Sequence, residues 1–325
     1  MSRSLLLGPG KTLRKDLSLE ELRAAKRDRG GVLWIDLKAS DDDTQTILSD
    51  VFAFHPLAIE DCYNDHVDTP KIDDYGDYLF VVAQSIRYVS RTDRLSLFEI
   101  DTFVGPNYVV TVRQQEIPAI DDLFDRASEN GRYLERGADF LTHTILDSLI
   151  DLLLPSVEEM DEAIDDLERR ILDRPDRELL PEVLLLKRNT LRLRRSILPQ
   201  RDMVNRLSRG EFSHLIRPEA QIFYRDVYDH IVRVEEMLDG LRDLADGALS
   251  SYLSSVNNRM NEVMKAMSVV AVIFLPLTLI ASIYGTNLDF SPFGIEFRQG
   301  FLLMLGAMIA VAAATFGYFR YRGWF

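Results

Sequence analysis

Tyr284-Gly285-Thr286-Asn287 closes a stretch, residues 267–284, that holds no charged side chain. Glycine lets a backbone leave its helix, and asparagine offers an amide oxygen beside an N–H donor. A ring of such groups, one from each of several chains, could hold a hydrated cation through its water shell. Magnesium suits that chemistry, because it prefers oxygen ligands and loses water reluctantly. Behind this end, Asn257, Asn261, Met264, Met267 or Ser268, Ala271, Leu275, Thr278 and Ser282 recur every three or four residues. That spacing places small, polar and soft side chains on one helix face. Such a face is either a seam where membrane helices pack or one wall of a pore. One stripe cannot enclose a pore, but symmetric copies around an axis can.

These residues need elements to position them. Residues 267–284 and 300–319 are two charge-free stretches of 18 and 20 residues. Each is long enough to cross a hydrocarbon core of roughly 30 Å as a helix. Residues 288–299 join them. Arg259 and Lys265 precede the first span, and Arg320 and Arg322 follow the second. Basic flanks on both sides predict a multi-pass protein of the cytoplasmic (inner) membrane with both termini in the cytoplasm. The connection 288–299 then faces outward, and 320–325 is a basic cytoplasmic tail. Asp289 and Glu296 keep the outer loop acidic, which either attracts cations or is an ordinary solvated loop.

Pro218 suits the first turn of a helix. From there to residue 284 the only proline is Pro276 and the only glycines are Gly240 and Gly247. The pattern predicts one helix of about 66 residues, roughly 100 Å long. As a segment, 219–287 would run from a stalk into the first span, with neighbours covering it because so long a helix is not stable alone.

The rest reads as a water-soluble α+β domain. Residues 1–130 mix helix and strand signals. Ser18-x-x-Glu21 is a capping box. Residues 32–37, 78–89, 95–104 and 108–112 are rich in β-branched and aromatic residues, with turns at 91–94 and 105–107. Residues 131–218 are helical: one helix over 140–172, with Leu146, Leu149, Ile150 and Leu153 on one side, a turn at 174–176, and a second helix over 182–209. The predicted fold class is a helix-flanked sheet plus a helical bundle, then one very long helix and two C-terminal transmembrane helices.

The net charge is -14, and residues 266–325 carry three arginines against two acids, which leaves -15 on the first 265. That disfavours nucleic acid, which requires a basic face. It suits cations, or simply solubility. Cys62 is the only cysteine, so neither an internal disulfide nor a thiolate zinc cluster is available. Leu5-Leu6-Leu7 is too short for a signal peptide. The five histidines show no zinc-ligand spacing, and His55 beside Pro56 reads as a cap. No phosphate loop or nucleophile–base arrangement is present, so neither an enzyme nor an organic cofactor is expected. The acidic run 158–168 reads as a solvated face or a weak cation sensor. Lys187, Arg188, Arg192, Arg194 and Arg195 would pair with it or with a neighbour's acidic helix.

Ordered motifs extend over about 270 residues: His55-Pro56-Leu57-Ala58-Ile59-Glu60-Asp61, Pro70-Lys71-Ile72, Phe223-Tyr224-Arg225-Asp226-Val227-Tyr228-Asp229-His230, Tyr252-Leu253-Ser254-Ser255-Val256, Asn261-Glu262-Val263-Met264-Lys265, Phe274-Leu275-Pro276-Leu277-Thr278, Ile283-Tyr284-Gly285, and the tail Gly323-Trp324-Phe325. Together they resemble the CorA family of divalent-cation channels, in its two-span class with a Gly-Met-Asn signature. The resemblance implies a funnel-shaped homopentamer in the lipid bilayer that carries magnesium, with cobalt or nickel as further cargo. It makes Gly285 and Asn287 the outer selectivity site. It places Asn261, Met264 and Met267 at the gate, with Leu275 and Thr278 along the pore. It makes Asp61, with Glu60 beside it, and Asp226 the cytoplasmic groups that bind regulatory magnesium at subunit interfaces and hold the channel closed. Two residues depart from the pattern. Thr286 replaces the signature methionine, and Ser250 stands where some relatives carry an acid near the inner mouth. They leave open a zinc transporter of the related ZntB type, with proton coupling; a membrane-anchored sensor that conducts nothing is a third reading.

Overall fold

The computed structural model describes residues 2–64, 66–89, 94–286 and 297–323. The chain divides into two compact units, Met1–Leu249 and Ser250–Phe325. The division falls inside the long helix. The segments 1–130 and 131–218 both lie in the first unit, where their helices pack on one sheet.

That sheet has seven strands in the order β2-β1-β3-β7-β6-β5-β4. They are β1 (Arg3–Leu7), β2 (Leu13–Lys15), β3 (Val32–Lys38), β4 (Lys71–Asp74), β5 (Leu79–Val89), β6 (Arg94–Val104) and β7 (Tyr108–Arg113). Among the described residues only β3 and β7 pair in parallel. The four strands read from β-branched and aromatic runs are β3, β5, β6 and β7. The sequence reading missed β1, β2 and β4, which are three to five residues long and carry little periodic signal.

Alternation along the strands makes two faces. On one, Leu33, Ile35 and Leu37 join Phe80, Val82, Phe103, Val110 and Val112. This face is covered by α1 (Leu19–Arg27), by α2 (Thr44–Thr46) with the π-helical turn Ile47–Val51 that follows it, and by α3 (Pro56–Asp61). The expected capping box opens α1: Ser18 accepts from the Glu21 N–H, and Glu21 accepts from the Ser18 N–H at 2.8 Å. His55 caps α3, its Nδ1 accepting from the Leu57 N–H at 3.3 Å.

The other face carries Trp34, whose ring lies 4.9 Å from Phe124 of α4 (Pro118–Asn130). Next to it, the buried Asp36 accepts from Arg113 at 2.9 Å and from Arg3 at 2.6 Å. Helix α5 (Ala138–Ile150) lies on this face, with Phe140, Leu141, Ile145, Leu146 and Leu149 buried. The single helix predicted over 140–172 is broken at 151–152, and α6 (Leu153–Asp173) follows. The break lets α5 follow the sheet while Val157, Met160, Ile164, Leu167 and Ile171 of α6 become buried on their own line. By length and composition the stretch Ala138–Asp173 could cross a membrane, but its apolar window is 56% buried inside the unit. It is core.

Helix α7 (Leu179–Ser208) closes the edge of β5. Beyond the end of β4, the Gln200 side chain accepts from the Gln84 N–H at 2.8 Å and donates to the Gln84 carbonyl at 3.0 Å. One side-chain amide thus replaces the next strand. Helix α8 (Pro218–Gly285) is a single helix of 68 residues, as the glycine and proline pattern predicts. Within the second unit, α9 (Phe297–Tyr321) runs antiparallel to it: Tyr284 meets Phe301 at a ring separation of 6.4 Å, and Val269 and Phe319 are buried.

Candidate cation pathway and cation-binding cluster

The apolar windows of α8 and α9 are 6% and 0% buried, so nearly all their apolar surface is uncovered in one chain. Water does not tolerate a surface of that kind, whereas lipid and further copies do. The sequence-predicted stripe lies on this part of α8. Asn261, Met264, Met267, Leu275 and Thr278 are all exposed. At 100° per residue they fall within roughly a third of the helix circumference. Thr278 donates its hydroxyl hydrogen to the Phe274 carbonyl at 2.8 Å. The hydrogen is used within the helix, and the oxygen still accepts from outside. At the end of α8, Thr286 donates twice to the Ile283 carbonyl, from its hydroxyl at 2.6 Å and its N–H at 3.3 Å. Gly285 has open space where a Cβ would stand. Asn287, Asp289 and Glu296 lie outside the described residues.

A second arrangement forms between α5 and the first turns of α8. Among the described residues, Asp147, Asp151 and His230 each bring one ligand atom within 4.8 Å of the others. Asp147 stands on α5 with Asp151 one turn on as its C-cap, and Asp226 and His230 stand one turn apart on α8. Burial raises the Asp147 pKa, and the charges of Asp151 and Asp226 add to it while His230 opposes them. Burial lowers the His143 pKa, against the hydrogen bond at Phe223 and the charge of Asp226. Asp226, a sequence-predicted site residue, acts by its charge on Asp147 and His143 beside the group of Asp147, Asp151 and His230. The sequence reading missed these partners. Their signal is two four-residue spacings on helices 80 residues apart, which only packing brings together. Two carboxylates and an imidazole can hold a divalent cation, and the nitrogen suits cobalt, nickel or zinc better than magnesium.

Asp61 and Glu60 are not part of this cluster within one chain. Asp61 pairs with Lys71 at 2.7 Å, and Lys71 also reaches Asp73 at 3.4 Å. Glu60 lines an open pocket of about 570 Å³ with Phe54, Pro56, Ile59 and Tyr63. Behind Asp61 lie two acids on β6, the half-buried Glu99 and the buried Asp101. Burial pushes Glu99 up to about 7, the Asp68 N–H it accepts works against that, and the charges of Asp68 and Asp61 add to it. Asp101 is raised well above the usual carboxylate range by burial and then by Glu99. Cys62 is buried, its thiol donates to the Ala58 carbonyl at 3.3 Å, and burial raises its pKa well up. It stays a thiol and serves as core.

A mixed sheet flanked by helices, one very long helix, and a pair of uncovered apolar helices define a membrane protein of two C-terminal spans. The family described as "CorA-like Mg2+ transporter protein" matches residues 29–321, and the chain belongs to it. It is a family of ion transporters, and the chain is not an enzyme. The cobalt/magnesium transport protein CorA of Thermotoga maritima is 32% identical over 323 residues, covering 94% of this chain and 90% of that one. The zinc transport protein ZntB of Pectobacterium carotovorum is 25% identical over 227 residues, covering 69% and 68%. The solved CorA magnesium transporter of Methanocaldococcus jannaschii shares the fold at a TM-score of 0.83 and 22% identity, covering 99% of this chain and 98% of that one.

Proposed function

We propose that the chain is a CorA-like channel for magnesium, with cobalt and nickel as further cargo, assembled as a homopentamer in the cytoplasmic membrane. The observation that carries this reading is the uncovered last part of α8, charge-free from Met267 on, with Asn261, Met264, Met267, Leu275 and Thr278 on one face and Gly285 at its end. Copies of that face around an axis enclose a pathway. Met264 and Met267 form soft rings able to dewet, and Asn261 and Thr278 supply oxygens for a hydrated ion. Gly285, Thr286 and Asn287 form the outer filter. Asp289 and Glu296 draw cations toward it, residues 288–299 face outward, and both termini lie in the cytoplasm.

Cytoplasmic magnesium closes the channel. Asp147, Asp151 and Asp226 gather negative charge near His230, and a bound cation relieves the repulsion of the acids. Asp61 and Glu60 lie on a separate patch of the same chain, which fits a site completed between neighbouring copies. Loss of the ion shifts the assembly toward the open state.

Ion flux into proteoliposomes tests this, with wild type beside Asn287→Ala, magnesium beside zinc, at two pH values. Magnesium flux that the substitution abolishes is expected. Zinc-only flux that depends on pH replaces this reading with a ZntB-like transporter, which Thr286 and the imidazole of His230 favour. An absence of flux for both ions leaves a membrane-anchored metal sensor.

A further inference from the structure

Lys187, Arg194 and Arg201 of α7 are held by α8, through Asp246 at 2.5 Å, Asp239 at 3.0 Å and Glu235 at 2.8 Å. The sequence reading gave Lys187 and Arg194 to the acidic run 158–168 or to a neighbour's acidic helix. In the structure the neighbour that takes them is α8, because α7 and α8 lie side by side.

Three arginines of α7 point elsewhere. Arg188, Arg192 and Arg195 are exposed, and none of them forms an ion pair among the described residues. They lie opposite Leu193 and Ile197, the buried side of the helix. Helix α6 has the matching free face. Glu158, Asp161 and Asp165 are exposed, show no ion pair among the described residues, and form a strip to one side of the buried Val157, Met160 and Ile164. Glu162 lies between them on the same side.

The spacings match in reverse order. From Glu158 to Asp161 to Asp165 the steps are three and then four residues, and from Arg195 back to Arg192 and Arg188 they are also three and then four. Two helices laid antiparallel would therefore pair Glu158 with Arg195, Asp161 with Arg192 and Asp165 with Arg188. At 1.5 Å per residue both sets extend over roughly 10 Å. Within one chain the faces do not meet: the ion pair the structure shows between α6 and α7 is Arg170 with Glu182, nearer the connecting turn.

We propose that the acidic face of α6 docks on the basic face of α7 in a second copy of the chain, in this antiparallel register. A surface and its complement on one molecule make a head-to-tail contact, which repeats from copy to copy and closes into a ring when the rotation allows. Rotation about an axis along the helices preserves their directions, so α6 of one copy and α7 of the next are antiparallel, as the spacing requires. Leu184, 48% exposed, sits one turn before Arg188 and adds apolar area at the end of the contact. The inference rests on the homo-oligomeric assembly proposed above and specifies which faces meet.

Two full-length chains with different tags test it, one carrying Asp161→Cys and the other Arg192→Cys, co-expressed and oxidised in membranes. The native Cys62 is buried and serves as the control background. A cross-linked product bearing both tags is expected from the mixture, with little from either chain alone. A missing mixed product, or an equal yield from one chain alone, overturns the proposal. Reversing all three arginines (R188E, R192E, R195E) should cut assembly several-fold in low salt, where exposed charges are least screened. Adding E158R, D161R and D165R to the same chain should restore it, and no recovery counts against the register. Flux is measured in parallel. Intact flux without the cross-link sinks this contact alone, and the cross-link without flux sinks the transport reading alone.

Discussion

Arg113 ends 2.9 Å from Asp36 and 2.5 Å from Asp121, and its side chain is 1% exposed. Arg3 meets the same two acids at 2.6 and 2.8 Å, so two cations and two anions balance. Arg113→Met removes the buried cation and leaves Asp36 with half its pairing. Truncation of one partner in a buried pair costs about 3–5 kcal/mol. Arg3→Met, on a half-buried side chain, should cost clearly less. Urea unfolding of the two variants compares them, and equal losses would contradict the assignment of Arg113 as the central group. Glu99 gives a pH dependence. Its folded pKa of about 7 lies above its unconstrained value of 4.5. Below 4.5 both states hold the proton and burial is harmless. Between 4.5 and 7 the unfolded chain releases its proton while the folded chain keeps it, so stability falls as pH rises. Glu99→Gln should flatten that part of the profile, and parallel curves for wild type and variant would show that Glu99 does not set it.

At the scale of elements, α7 depends on one amide to close the sheet. Gln200 satisfies both main-chain groups of Gln84, where β5 outruns β4. An unsatisfied buried backbone group costs about 1–3 kcal/mol, so Gln200→Leu should destabilise by at least that range. Hydrogen exchange at the Gln84 amide should speed up selectively, and unchanged exchange there would mean another group caps the edge. The turn between β6 and β7 is similarly constrained. Gly105 donates its N–H to the Tyr108 carbonyl at 2.9 Å, and a Cβ at Gly105 would overlap the Tyr108 ring. Asn107 fixes the turn to the end of α1, donating to the carbonyls of Ala25 at 3.0 Å and Asp28 at 3.1 Å.

For the whole molecule, the proposed cycle links a cytoplasmic cation cluster to a pathway along the same helix. Asp226 and His230 belong to the helix that also carries Asn261, Met267 and Thr278. Asp147→Ala combined with Asp226→Ala should raise the magnesium concentration needed for closure by roughly tenfold or more, in the range seen when a metal site loses supporting groups. Flux through the open channel should remain, because neither residue belongs to the proposed pathway face. Closure at the wild-type magnesium concentration would remove these residues from regulation. Asn287→Ala makes the opposite prediction, with closure irrelevant because flux is already lost.

Much of this chain could be read from its residues because the signals are local. Charge-free runs mark the spans, the absence of turn residues from 219 to 284 marks one long helix, and Ser18 with Glu21 marks the start of α1. Asn261, Met264, Met267, Leu275 and Thr278 share a face by periodicity alone, since helix geometry fixes which residues align. Three things needed the tertiary structure. The short strands β1, β2 and β4 exist because longer neighbours pair with them. The break at 151–152 follows from two helices burying different lines of apolar residues. Asp147, Asp151 and His230 become neighbours only when α5 packs beside α8, because a contact between residues 80 apart depends on packing and not on spacing. The same packing decided which arginines of α7 are neutralised by α8 and which remain on the surface.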